Sequence, residues 1–309
     1  MNNILFIVCV LITFISCSSQ RNKEKILPPL PENVTCFKLN PEPFIPHLPK
    51  VLNENSGLIY WDRLLWTIND SGGENIIYGF DFSGRIQKEI EIKDASNNDW
   101  EEIAQDEKHI FVGDFGNNLG IRKDQKIYVI KKKDIGKETK QKVDSKEIDF
   151  GYAEQTNFGF QHFSTPYDCE AMVEYRNSLY IFTKNWQRGT TSVYRLPKEK
   201  GKYRLNAIDS FNVQGLVTGA DINPDETKLA LVGYENFIPF LWLFNGIKAD
   251  SLFEGSKIRI EMDAMERAQT EGVCFLGNDS LLISCEETKA FDHQVFLLDL
   301  KKIDKNGTY

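Results

Sequence analysis

Several of the usual carriers of chemistry are missing or thinly spread in this 309-residue chain. Histidine is scarce: His47, His109, His162 and His293 are scattered without the spacing of metal ligands, and each reads as a surface or loop residue. Past the N-terminal stretch the cysteines are Cys36, Cys169, Cys274 and Cys285, whose spacings match no zinc site. A tight turn at Gly277-Asn278-Asp279 would set Cys274 opposite Leu282 rather than Cys285, so buried free thiols are as much to be expected as a disulfide. There is no Gly-x-Ser-x-Gly elbow and no phosphate-cradling glycine loop. The glycine-rich Asn69-Asp70-Ser71-Gly72-Gly73-Glu74 reads as a hairpin turn, because no helix start follows it. Formal net charge is −8, and no cluster of lysines alternates with aromatics, which argues against a nucleic-acid partner. The basic run Lys131-Lys132-Lys133, with Asp134 beside it, is read as a solvated strand end.

The apolar run Ile4 to Ile15 is too short to span a bilayer. It is followed by Ser16-Cys17, which is the arrangement of a signal peptide ending on a small residue and a cysteine. The segment resembles a bacterial lipobox, with Phe14 where leucine is usual and no basic residue in Met1-Asn2-Asn3. The expectation is a signal peptide over 1–16, acylation of Cys17, and a polar, proline-stiffened tether over 17–32, with simple secretion as the alternative. Two or three acyl chains would hold a soluble domain at a membrane, so the chain is expected in the cell envelope, on the outer membrane in preference. Residues 33–309 form the remaining domain.

In that domain the sequence is faintly self-similar. Five strand openings recur, at Ser56-Gly57-Leu58, Glu101-Glu102-Ile103, Glu170-Ala171-Met172, Ala220-Asp221-Ile222 and Glu271-Gly272-Val273. Each leads through a turn into a second apolar strand: Leu64 to Asp70, Ile110 to Asp114, Leu179 to Lys184, Leu229 to Tyr234 and Leu281 to Glu286. Repeats of about 40 to 50 residues made of short strands mark a β-propeller, whose blades bury their faces only against one another. The fold class is therefore all-β, a single propeller of five blades, with six as the alternative. The long gap between the second and third openings contains Tyr152 to Tyr167, read as a loop inserted over one face of the ring. The fifth unit shows only three strands, and Val34 to Leu39 is expected to supply its outermost one and so close the ring. Trp61, Trp66, Trp100 and Trp242 fall on strands and are read as packing between blades.

In a propeller the first strand of each blade lines the central channel. Stacking the five units sets Glu101, Glu170 and Glu271 at one level, with Glu102 and Asp221 one step on. The second strands end in another ring, Asp70, Asp114, Lys184, Tyr234 and Glu286. Carboxylates converging on one axis repel unless they bind a cation, share protons or pair with bases. Three readings stay open. Glu101, Glu170, Asp221, Glu271 and Glu286 could ligate Ca2+ or Mg2+, which prefer clustered oxygens. One carboxylate could act as a general base in a catalytic mouth. Or the acids could only accept backbone hydrogen bonds in turns.

The residues also carry a resemblance. Glu54-Asn55-Ser56-Gly57-Leu58, Leu65-Trp66-Thr67-Ile68-Asn69-Asp70-Ser71-Gly72-Gly73, Asp99-Trp100-Glu101-Glu102-Ile103-Ala104 and Val112-Gly113-Asp114-Phe115-Gly116-Asn117-Asn118 followed by Arg122 are similar to the ESGL, LWTxNDSGG, DWEDIA and GDxGDN signatures of a group of secreted bacterial β-propellers. Relatives in that group are sometimes labelled phytase-like or esterase-like by analogy of fold. Asp168-Cys169-Glu170-Ala171-Met172, Phe182-Thr183-Lys184, Thr218-Gly219-Ala220-Asp221-Ile222 and Glu271-Gly272-Val273 match the group's further stretches. Two positions depart: Glu102 replaces an aspartate, and Asn117 replaces another, which removes a charge. The ring positions and these motifs together set Asp70, Asp114, Asn117, Arg122 and Lys184 at an expected ligand-binding mouth. The expectation is a lipid-anchored propeller binding an unidentified ligand or protein, with Ca2+ or Mg2+ as the candidate ion. Alternatives are a metal-dependent phosphoester or ester hydrolase, and an interaction scaffold contacted through the Tyr152 to Tyr167 loop.

Overall fold

The computed structural model describes residues 29–31, 33–70 and 72–303. The signal segment, Cys17 and all of the expected tether except 29–31 lie outside the described residues. Alternating short apolar strands separated by tight polar turns give five sheets. From the axis outward, blade 1 contains Asn55–Trp61, Leu64–Asn69, Ile76–Phe80 and Ile86–Ile92, and blade 2 contains Trp100–Gln105, His109–Asp114, Lys126–Lys131 and Ser145–Tyr152. Blade 3 runs Asp168–Tyr175, Ser178–Lys184, Thr191–Pro197 and Ala207–Phe211, and blade 4 runs Leu216–Ile222, Lys228–Glu235, Ile238–Asn245 and Ser256–Glu261. Blade 5 is Gln269–Phe275, Ser280–Glu286, Gln294–Asp299 and, at its edge, Glu42–Ile45.

The protein is therefore an all-β, five-bladed propeller, and no sixth blade occupies the long gap, where residues 153–167 form a loop. Its core is divided as the fold requires. One apolar cluster fills each junction between neighbouring blades, and the cluster of Leu58, Leu65, Phe80, Cys274, Leu282 and Val295 joins blade 5 to blade 1. Trp66 and Trp100 are buried together in the junction of blades 1 and 2, and Trp242 in that of blades 3 and 4.

One expectation is corrected at the edge. Val34–Lys38 does not complete blade 5 but pairs in parallel with Ser256–Glu261, as a fifth strand on blade 4. The segment on blade 5 is Glu42–Ile45, a stretch whose Pro43 disfavours a strand. An outermost strand pairs on one side only, and the register slips between Pro43 and Ile45, so the missing N–H of Pro43 breaks no ladder. Blades 1 and 2 gain parallel outer strands too, Lys140–Val143 and Gly201–Leu205. The turn register bears out the cysteine reading: Cys274 faces Leu282, and Cys169, Cys274 and Cys285 are buried free thiols.

Candidate functional site

Every inner strand carries an irregularity at the same place. In blade 2 Trp100 pairs with Asp114 and Glu102 with Gly113, so Glu101 is skipped by its partner strand. Glu170 is skipped in the same way between Cys169 and Ala171, and Glu271 between Thr270 and Gly272. A β-bulge of this kind bends the strand and re-aims the extra side chain. Three glutamates that plain alternation would spread over sheet faces are thereby carried to one mouth of the channel. In blade 4 the skipped residue is Thr218, and in blade 1 it is the pair Gly57-Leu58.

That places the fourth repeat two residues from where its sequence suggested. Asp221 is not level with the glutamates; its carboxylate accepts the Phe275 backbone N–H at 2.7 Å, and burial pushes it up to about 7. Glu102 lies beside it, accepting the N–H groups of Ile103 and, across from blade 2, of Ala220, each at 3.0 Å. A Cβ on Gly57, which has φ +64°, would collide with Glu102, so a glycine is required there. Glu102 and Asp221 thus tie inner strands together deeper in the channel.

Around the mouth the glutamates meet acids from neighbouring loops. One oxygen each of Asp70, Asp99 and Glu101 lies within 4.8 Å of the others. Burial raises the Glu101 carboxyl well above its ordinary range, and the negative charges of Glu170, Asp70, Asp99 and Asp168 add to it. Burial together with Asp70 lifts Asp99 to about 7. Burial lifts Glu271 to about 7 against the pull of Lys184. Glu286 rises to about 9 through burial, Glu271 and Asp70. Lys184 sits 3.1 Å from Glu170 and lies over the rings of Trp186 and Tyr234. Burial works against its charge, but Glu170 outweighs that and holds it protonated.

Of the residues expected at the ligand-binding mouth, Asp70 and Lys184 belong to this one. Asp114, Asn117 and Arg122 stand behind it. Fully buried Asp114 accepts the Asp99 backbone N–H at 3.2 Å and an Arg122 N–H at 2.8 Å. Arg122 also donates to the Gly116 carbonyl at 3.1 Å. Asn117 accepts the Arg122 backbone N–H through Oδ1 and donates its own backbone N–H to Asp168 at 2.6 Å. These bonds fix the loop that carries Gly116, whose Cβ, if it had one, would fall inside the contact shells of Glu101 Oε1 and the Asp99 carboxylate.

Asp99 and Asp168 were missed as site residues. Their signal was present: Asp99-Trp100-Glu101 and Asp168-Cys169-Glu170 place an aspartate two residues before the skipped glutamate, and blade 5 has Gln269-Thr270-Glu271 in the same frame. Asp168 is fully buried and accepts the Trp186 indole N–H at 2.6 Å. The inserted loop packs alongside, Phe163 lying against Trp186 with ring centres 4.6 Å apart.

No family model matches the chain, and no curated protein matches it. Several solved structures are similar to the chain at low identity. A putative TolB from Agrobacterium tumefaciens has a TM-score of 0.42 at 13% identity, over 80% of this chain and 77% of that one. A chain of a nidogen/laminin complex has a TM-score of 0.43 at 13% identity, over 81% and 77%. The Cps50 (Swd1) β-propeller domain of Myceliophteria thermophila has 0.42 at 8%, over 81% and 84%.

Proposed function

We propose that the protein is a lipid-anchored binding propeller of the cell envelope whose acidic mouth holds a divalent cation, calcium in preference to magnesium, and presents it to an anionic ligand. The observation that carries this reading is a charge imbalance. Asp70, Asp99, Glu101, Asp168, Glu170, Glu271 and Glu286 act on one another at a mouth to which, among the described residues, Lys184 is the one lysine contributed. Glu101, Asp168, Glu170 and Glu271 are buried. Burying so many carboxylates beside fewer cations is costly, and either protons or a metal ion must offset the excess.

The donor set fits a hard cation. It is all oxygen, and its 4.8 Å grouping lies within the roughly 5 Å that separates opposite ligands of Ca2+. The bare Gly116 Cα leaves room beside Glu101 and Asp99 that a side chain would fill. Asp70, Asp99 and Glu101 would hold the ion, with Glu271 and Glu286 completing the negative surround. When bound, calcium supplies a positive centre that draws an anionic group to the mouth. Lys184 neutralises Glu170, and Trp186 and the inserted loop wall one side.

Calcium titration followed by thermal melting tests the site, since a ligand bound only by the folded state raises the melting temperature. A rise of several degrees at millimolar calcium is expected, lost in Asp99→Asn with Glu101→Gln. Unmoved melts with calcium, magnesium and manganese would end the cation reading. The anchor rests on the Ser16-Cys17 pattern alone, and Cys17→Ser should release the protein from the membrane fraction; retention there would remove it.

A further inference from the structure

Beside the acidic mouth lies a second feature of opposite character, a cavity of about 470 Å³ between blades 4 and 5. Tyr234, Phe237, Arg267, Gln269, Thr288 and Lys289 line it together with two alanines, and no lining residue is acidic. Its walls are tied to each other: the Arg267 backbone N–H donates to the Phe237 carbonyl at 2.7 Å, and the Thr288 hydroxyl donates to the Arg267 carbonyl at 3.4 Å. Phe237 is 71% exposed, an aromatic ring left in water at the rim of a preformed apolar hollow. Arg267 and Lys289 are exposed and, among the described residues, form no ion pair. In a chain of net charge −8, two cations lining a cavity with no acid in its own lining concentrate positive charge at that spot. Two of the lining residues also border the mouth: the Tyr234 ring lies 5.6 Å from Lys184 Nζ, and Gln269 bonds to Glu271.

We infer that this cavity binds a small organic anion, a phosphate or carboxylate carried on a compact apolar or aromatic body. The body fills the hollow against Phe237, Tyr234 and the alanines, and the anionic group meets Arg267 and Lys289. The volume suits one such molecule, and few-sided polar recognition in an apolar pocket is the usual pattern of small-ligand sites. Charge-assisted hydrogen bonds from arginine favour phosphate and carboxylate alike. The inference rests on the function proposed above only in placing a ligand at this end of the propeller, and not on the cation.

The test is equilibrium binding of 1-naphthyl phosphate, 1-naphthoate and neutral 1-naphthol to the mature protein by titration calorimetry, in calcium and in EDTA. Both anions are expected to bind at least about tenfold more tightly than naphthol, in either buffer. Arg267→Gln with Lys289→Gln is expected to erase that preference while leaving the melting temperature in place, and Phe237→Ser to weaken all three compounds. Anions binding no better than naphthol, or a charge-neutral double variant that keeps the preference, overturns the assignment. So does anion binding that disappears in EDTA, since the anion would then be held by the metal. A failed calcium melt with retained binding in EDTA sinks the cation reading alone.

Discussion

The Nζ of Lys184 stands 3.1 Å from Oε2 of Glu170, and both side chains are almost wholly withdrawn from water. Two consecutive blade strands meet there, the skipped glutamate of one and the last residue of its neighbour. Removing one partner of a buried pair leaves a stranded charge, at a cost of about 3 kcal/mol. Lys184→Met should therefore lower the unfolding free energy by roughly that much in chemical denaturation. Lys184→Met with Glu170→Gln should recover most of it. If the single and double variants unfold alike, the pair is not the reason for the lysine.

Stability should depend on pH in the reverse of the usual sense for carboxylates. Asp99 and Glu271 are raised to about 7 and Glu286 to about 9, above the ordinary value near 4 of an unfolded chain. Between the two values the folded state holds protons that the unfolded state has released, so stability is full below about 4 and is lost as pH rises through 7 to 9. Metal-free protein should melt several degrees higher at pH 5.5 than at pH 8.5. Calcium should stabilise more at the higher pH, where it has fewer protons to displace. A melt that is flat or rises from pH 5.5 to 8.5 in EDTA would show that the mouth acids are already neutralised by something else.

How much of this was legible follows from what hydrophobic pattern can encode. The inner and second strands were readable because Ile103, Val112, Ile181, Leu231 and Ile283 sit in apolar runs bounded by turn residues, and their burial fixes them. The grouping of Glu101, Glu170 and Glu271 was readable because equivalent repeat positions face one axis. The fourth repeat was placed two residues off, since such a slip preserves the alternation of inward and outward side chains and leaves no mark on the pattern. Edge strands failed for a related reason. Glu42–Ile45 has one paired side and a proline, so propensity speaks against a strand that tertiary pairing nevertheless makes. Asp114 was read as a ligand group from its place at a strand end and Arg122 from its motif, whereas here they satisfy each other beneath the loop.

Arg122 should accordingly act through the loop it holds. Its guanidinium bonds Asp114 and the Gly116 carbonyl, and Asp114 in turn positions Asp99. Arg122→Lys keeps a charge but cannot form both contacts in one planar fork. It should weaken calcium binding by about tenfold, with a stability loss of about 1–2 kcal/mol. Arg122→Ala, which strands the buried Asp114 carboxylate, should cost about 3 kcal/mol or more. Calorimetric calcium affinity in Arg122→Lys equal to that of the parent would show that the loop is held without the fork.

Glu102 separates bracing from binding most cleanly, because it is as buried as the mouth glutamates and one residue from Glu101, yet its oxygens are already committed to the Ile103 and Ala220 N–H groups. Glu102→Ala leaves both donors unsatisfied between blades 2 and 4 and should cost about 2–4 kcal/mol. Glu102→Gln retains one acceptor and should cost less. Neither change removes an oxygen from the mouth, so the calcium-induced rise in melting temperature should persist in both, measured from each variant's own lower baseline. Glu101→Gln should do the opposite, raising the metal-free melting temperature by relieving repulsion with Glu170, Asp70 and Asp99 while reducing the calcium response. If Glu102→Gln abolished the calcium response and Glu101→Gln preserved it, the ion would have to sit deeper in the channel, at the level of Asp221.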